Sequence, residues 1–288
     1  FGATLEGTDS YSSGVYNLDT ITSLSNAGTL QGTGSIESSG IYNLGTISTI
    51  TNSGDLASTG TGTGSINKAG IYNAASATVT TITNSGNIDG TGSYTSGIHN
   101  LGTIGTIISS GRLRGLGGRL RGEGSANSSG IYNAGNIGTI TNSGYITSIN
   151  NYGIYNSGNI GTITHRDSLN GTISSINSHA ILNTGTITKL ENSLTISSGA
   201  DFFDIDNTSG TITNLYNSQG KLTSDPLTLT GNLPTNYFVT IDSTTDYGQL
   251  SVTNGVGNIN FGITEGSVIG VPTTNYTTYS TDGVTLNP

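Results

Sequence analysis

Residues 39–54 read Ser39-Gly40-Ile41-Tyr42-Asn43-Leu44-Gly45-Thr46-Ile47-Ser48-Thr49-Ile50-Thr51-Asn52-Ser53-Gly54. The stretch holds short β-branched runs bounded by Gly, Asn and Ser, which is strand chemistry interrupted by turns. Its opening phrase returns along the chain. Ser13-Gly14-Val15-Tyr16-Asn17, Ala69-Gly70-Ile71-Tyr72-Asn73 and Ser96-Gly97-Ile98-His99-Asn100 are three copies. Ser129-Gly130-Ile131-Tyr132-Asn133 and Tyr152-Gly153-Ile154-Tyr155-Asn156 follow, with a worn copy at His179-Ala180-Ile181-Leu182-Asn183. A spacing of roughly 23 to 33 residues is that of a stacked repeat. Asn43 is followed by Asn52, Asn133 by Asn142 and Asn183 by Asn192 at the same distance, and the spacing is nearly fixed from unit to unit.

One unit cannot bury its own Ile side chains, but stacked units can, with Ile41 beneath Ile71. Helix is excluded because no 3.6-residue apolar period runs for a helix length. The expected fold is all-β: a parallel β-solenoid of about eight coils over residues 1–221. The phrase stops near Lys221, and all four prolines lie beyond it. Residues 222–288 are therefore expected to form a C-terminal β cap, with strand pairs turning at Asn254-Gly255.

Composition narrows the function. The 288 residues include 45 Gly and no Cys, Met or Trp. Charged residues make up only 9%, and the net charge is -9. A thiolate metal site and a cysteine nucleophile are excluded, and the acidic balance argues against nucleic acid. His99, His165 and His179 each fall in a slot filled elsewhere by Tyr, Asn or Ser, so they read as column variation rather than metal ligands. No triad or paired-carboxylate pattern marks an enzyme, and no cofactor is expected.

Four candidate groups remain. Asn17, Asn43, Asn73, Asn100, Asn133, Asn156 and Asn183 are expected to stack as an asparagine ladder between coils. Tyr16, Tyr42, Tyr72, Tyr132 and Tyr155 alternate with the inward Ile positions and predict an outward aromatic column. Arg112, Arg114, Arg119 and Arg121 are four of the eight basic residues and predict an anion-binding loop in a variable corner. Asp201, Asp204 and Asp206 are a candidate calcium cluster, with Asp204 and Asp206 both on the outer side of one strand.

The units Asn52-Ser53-Gly54-Asp55-Leu56 and Asn156-Ser157-Gly158-Asn159-Ile160 resemble repeats of bacterial autotransporter passenger domains. Asp246-Tyr247-Gly248-Gln249-Leu250-Ser251-Val252 resembles the Tyr-Gly-x-Leu-x-Val stretch of the autochaperone region near the passenger C-terminus. The resemblance implies export, extracellular display on the outer membrane of a Gram-negative bacterium, and a membrane pore domain absent from these residues. The lack of Cys suits passage as an unfolded chain. The function expected on this basis is adhesion or self-association, with a surface glycan, a surface protein or another copy as partner. An alternative is a subunit of an extracellular matrix or filament. A third reading is an ice-binding solenoid with regular Thr rows, such as Thr46, Thr139, Thr162 and Thr186. Variable loops and the lack of a strict coil length argue against it.

Overall fold

The computed structural model describes residues 4–7, 13–34, 38–59, 68–91, 95–115, 128–166, 171–221, 225–268, 278–279 and 285–286. Every regular element among them is a β-strand. A typical coil passes through Asp55–Ser58, Lys68–Asn73 and Thr78–Asn84, then climbs to Asn87–Gly90, Thr95–Asn100 and Thr103–Ser109. Like strands stack in parallel. The first sheet has eight strands, from Thr4–Gly7 to Thr195–Ser197. The second has ten, from Val15–Asn17 to Leu250–Val256. The third also has ten, from Thr20–Asn26 to Asn260–Ile263. The chain is a parallel β-solenoid.

Each middle coil turns four apolar side chains inward. Leu113, Ile131, Ile137 and Ile140 fill one coil, and Ile146, Ile154, Ile160 and Ile163 fill the next. Register puts Ile41 on Ile71 and Ile47 on Val79. Each side chain so buried stabilises by about 1.5–3 kcal/mol. A polar replacement there would have no partner.

Asn fills the two corners that flank the third sheet. At the corner from second to third sheet, Asn17 Nδ2 donates to Asn43 Oδ1 at 2.7 Å, and Asn43 to Asn73 at 2.9 Å. The chain of amides continues through Asn100, Asn133, Asn156 and Asn183 to Asn207 at 2.8 Å per step. Each Nδ2 also reaches backbone carbonyls, as Asn43 does at Gly45 O and Thr78 O. The corner must be tight. A Cβ on Gly135 would lie 2.1 Å from the carbonyl oxygen of Gly102 one coil below.

The corner from third to first sheet carries a second, broken ladder. Asn26, Asn52 and Asn84 are linked at 2.8 Å, but Asn84 then meets Ser109 Oγ at 3.3 Å. Ser109 has no amide to offer Asn142 Oδ1, which is buried without a partner. Above it His165 stands in for Asn. Its Nδ1 lies 3.2 Å from both Asn142 Nδ2 and Asn142 O, and its Nε2 lies 3.1 Å from Thr195 O. A neutral ring with the proton on Nε2 accepts from Asn142 Nδ2 and donates to Thr195 O; with the proton on Nδ1 it would instead donate to Asn142 O. Burial pushes its pKa below the ordinary histidine value, against the smaller opposing effect of its backbone hydrogen bonds.

The boundary read at residue 221 is no break in the stack. Leu227–Asn232 and Leu250–Val256 extend the second sheet, and Asn236–Val239 and Asn260–Ile263 extend the third. The expected hairpin at Asn254-Gly255 does not form. Asn254, at φ 54, lies inside a parallel strand, opposite a bulge between Thr230 and Asn232 where Gly231 has φ 90. Antiparallel pairing among the described residues is confined to Thr278–Tyr279 with Thr285–Leu286 and a single bridge, Ile241 with Tyr247.

What changes after Ser197 is the first sheet, which stops. Gln219 closes its last strand. Its Oε1 accepts from Ile196 N at 2.8 Å and its Nε2 donates to Ile196 O at 2.9 Å. One side-chain amide thus supplies both bonds that a further strand would make at that residue.

Candidate functional surfaces

The aromatic column is a continuous stack. Ring centroids are 5.1 Å apart for Tyr16–Tyr42, 4.6 Å for Tyr42–Tyr72 and 5.0 Å for Tyr132–Tyr155. His99 fills the gap, 5.2 Å from Tyr72 and 4.3 Å from Tyr132. The rings point away from the Ile core, as alternation requires, but the expected exposed stripe is corrected in the middle. Tyr42 and Tyr72 are buried in a small cluster with Ala69, Ala74 and Ala77, while Tyr16 at the end is 45% exposed. Coil-on-coil stacking hides the ring faces that a ligand would need. His99 shares this burial. It is held neutral, its pKa pushed down to about 3 by desolvation, and its Nδ1 has no partner.

The arginine loop is also corrected. Arg112 and Arg114 lie on the strand Arg112–Gly115 of the first sheet, flanking inward Leu113. The repeat dictates this, because Leu113 pairs with Ile88 below and Ile146 above. Arg114 is already engaged: its Nε and Nη2 hold the two oxygens of Asp89 at 3.2 and 2.9 Å. Arg112 is exposed in a row between Asn87 and Tyr145. Arg119 and Arg121 lie outside the described residues.

The three aspartates do not converge. Asp204 is buried rather than solvent-facing. Its Oδ1 accepts from Ser198 N and its Oδ2 from Thr228 N, both at 2.9 Å. Burial raises its pKa, and these hydrogen bonds partly offset the rise. Asp206 instead accepts from Thr208 N and Oγ1, and lies 3.6 Å from His179 Nε2. Asp201 is exposed. Asp204 fastens two backbone segments where the regular coil has decayed. Among the described residues no group of three His, Asp or Glu is placed to hold a metal.

Two features escape a reading by motif. One is a cleft of about 570 Å³ where the first sheet stops, lined by Ser198, Phe202, Asp204, Asp225 and Thr228 with Gln219 at its edge. The other is the outer face of the third sheet. The expected Thr rows are two: Thr46 and Thr186 lie in one, Thr139 and Thr162 in another. The strand Thr46–Asn52 turns Ile47 and Ile50 inward, so two consecutive residues, Ser48 and Thr49, separate them, and a simple alternation does not place the rows.

No family model, no curated protein and no solved structure matches the chain.

Proposed function

We propose that the chain is a non-catalytic cell-surface module for adhesion or self-association, of the passenger type that its repeats resemble. The observation that carries this reading is the register. Each outward position of one coil lies over the same position of the next, as with Arg112 between Asn87 and Tyr145 on the first sheet. A rigid stack with such columns offers many weak, equivalent contacts, and linked weak contacts sum to strong attachment. The partner is a glycan or protein of a host or bacterial surface, or a second copy displayed on a neighbouring cell. The test is to display the chain on a non-adherent Gram-negative strain. Clumping or binding to host cells, inhibited by added soluble chain, is expected. Dispersed cells with no host-cell binding overturn the reading.

A filament subunit is the second reading, favoured by what lies at the two ends. Leu5 and Leu18 are exposed near the first coil, and Val252, Phe261 and Ile263 near the last. Among the described residues the outermost strand edges there are unpaired, and such edges are templates for another chain. Electron microscopy of concentrated protein decides: fibres support this reading, and single short rods at all concentrations reject it.

A further inference from the structure

The third sheet carries a surface of another kind. Over six coils, from Thr20–Asn26 to Asn159–His165, its outward positions hold no charged residue and no aromatic ring, on a chain of net charge -9. One outward row is Ser23, Thr49, Thr81, Thr106, Thr139 and Thr162. A second, two residues along each strand, holds Thr51, Thr83 and Thr141, with Ile108 between the last two; Thr164, next in line, is buried. None of these Thr hydroxyls hydrogen-bonds another group among the described residues. The row of Ser48 and Thr80 turns to Gly105, Gly138 and Gly161 in the later coils, so no side chain stands there. The patch ends at the next coil, where Lys189 and Glu191 take the two rows and pair with each other at 2.9 Å.

The varying coil length does not reach this face. Each of the six strands has seven residues and pairs with the next without a register shift. The length differences fall at the corners: Gly90 to Thr95 in one coil and Gly115 to Ile131 in the next, with a shorter insertion from Asn73 to Thr78 just before this sheet. The hydroxyls and methyls therefore form a two-dimensional array. It repeats at about 4.8 Å across strands and roughly 6.5–7 Å along them.

The chemistry selects the partner. Without charge the face has nothing to hold a phosphate or an anionic lipid. Without Trp, Tyr or Arg it lacks the anchors of a protein interface, and it has no ring on which a sugar could stack. Weak contacts to single hydroxyls add up only against a partner that repeats at the same two spacings. A crystal of water is a partner with its own two-dimensional repeat, hydrogen-bonding at every oxygen and bearing no charge. We infer that this face of the third sheet binds the surface of ice. The inference stands apart from the adhesion reading, which does not depend on which columns make contact.

The test uses the full chain in two assays: incorporation into a slowly growing ice hemisphere, and inhibition of recrystallisation. The wild type is expected to enter the ice and to keep its grains small. Thr106→Lys, at the centre of the array, lowers incorporation at least tenfold with an unchanged circular dichroism spectrum. Thr147→Lys, on the first sheet, leaves it unaltered. Thr139→Lys repeats the central test if Thr106→Lys does not fold. Exclusion of the wild type from ice overturns the inference. So does equal incorporation of a folded central variant, or equal loss in Thr147→Lys. Cell clumping without ice incorporation would sink this inference and leave the adhesion reading standing.

Discussion

The two corner ladders do the same job with different fidelity. From second to third sheet, Asn occupies the corner in all eight coils from Asn17 to Asn207, and each amide holds the next. From third to first sheet the corner reads Asn26, Asn52, Asn84, Ser109, Asn142, His165, Asn192 and Asn217. The difference shows what the position requires. A replacement must accept from the coil below and donate upward. His165 does both with two ring nitrogens. Ser109 accepts but does not donate upward, and the cost falls on its neighbour, Asn142. The buried amide is thus a two-sided connector whose defects appear one coil away.

Breaking the intact ladder should have the largest effect. Asn100 accepts from Asn73 and donates to Asn133, Gly102 O and Asn136 O. Asn100→Leu orphans several buried groups at about 1–3 kcal/mol each, so a loss of roughly 3–6 kcal/mol in chemical denaturation is expected. A loss under about 1 kcal/mol would mean that backbone pairing alone holds the corner.

Acid should come next, acting on the second ladder and the aromatic column but not on the all-Asn ladder. His99 titrates near 6.5 when unfolded and at about 3 when folded. The unfolded chain therefore binds more protons between those values. The stability contributed by neutral His99 is complete above pH 6.5 and is lost as pH falls towards 3. The slope is about 1.4 kcal/mol per unit, or roughly 2–3 kcal/mol by pH 4.5. His165 adds to the loss in the same direction. Urea midpoints at pH 7.5 and 4.5 should lie closer together in His99→Tyr, and closer again with His165→Asn added. An unchanged gap would show that the carboxylates alone set the acid response.

Much of this was legible before the structure. Ile41, Asn43 and Asn52 recur at nearly fixed distances, and near-fixed distance translates into register. Three things were hidden for physical reasons. Arg112 and Arg114 lie on a strand, but the long segment that follows them masks where the strand ends, and only Leu113 in the Ile column reveals it. Asp204 is buried because it caps Ser198 and Thr228, partners far apart in sequence. The stack continues past residue 221 because Leu227 and Leu229 do the work of Ile without the Tyr-Asn that marked it. For the candidate surfaces the yield was lower. Residue type marked the aromatic column and the Thr positions, but exposure and row membership depend on neighbours one coil away.

Repairing the broken ladder should have the smallest effect. Ser109→Asn would offer a donor to Asn142 Oδ1 and extend the run that begins at Asn26. A gain of about 1 kcal/mol is expected, seen as a higher urea midpoint at unchanged slope. A loss would mean that the corner at this coil is too tight for an amide.

The corner between first and second sheet follows another rule. Strands flanking it are separated by as little as Gly90 to Thr95 and as much as Gly115 to Ile131. Closing a flexible loop costs only about 0.6 kcal/mol more for each doubling of its length. Added residues at this corner therefore carry a logarithmic penalty, while a changed residue at either Asn corner carries the full cost of an orphaned buried group. New segments can accumulate at one edge of the rod without altering the pitch, the amide ladders or the hydroxyl face.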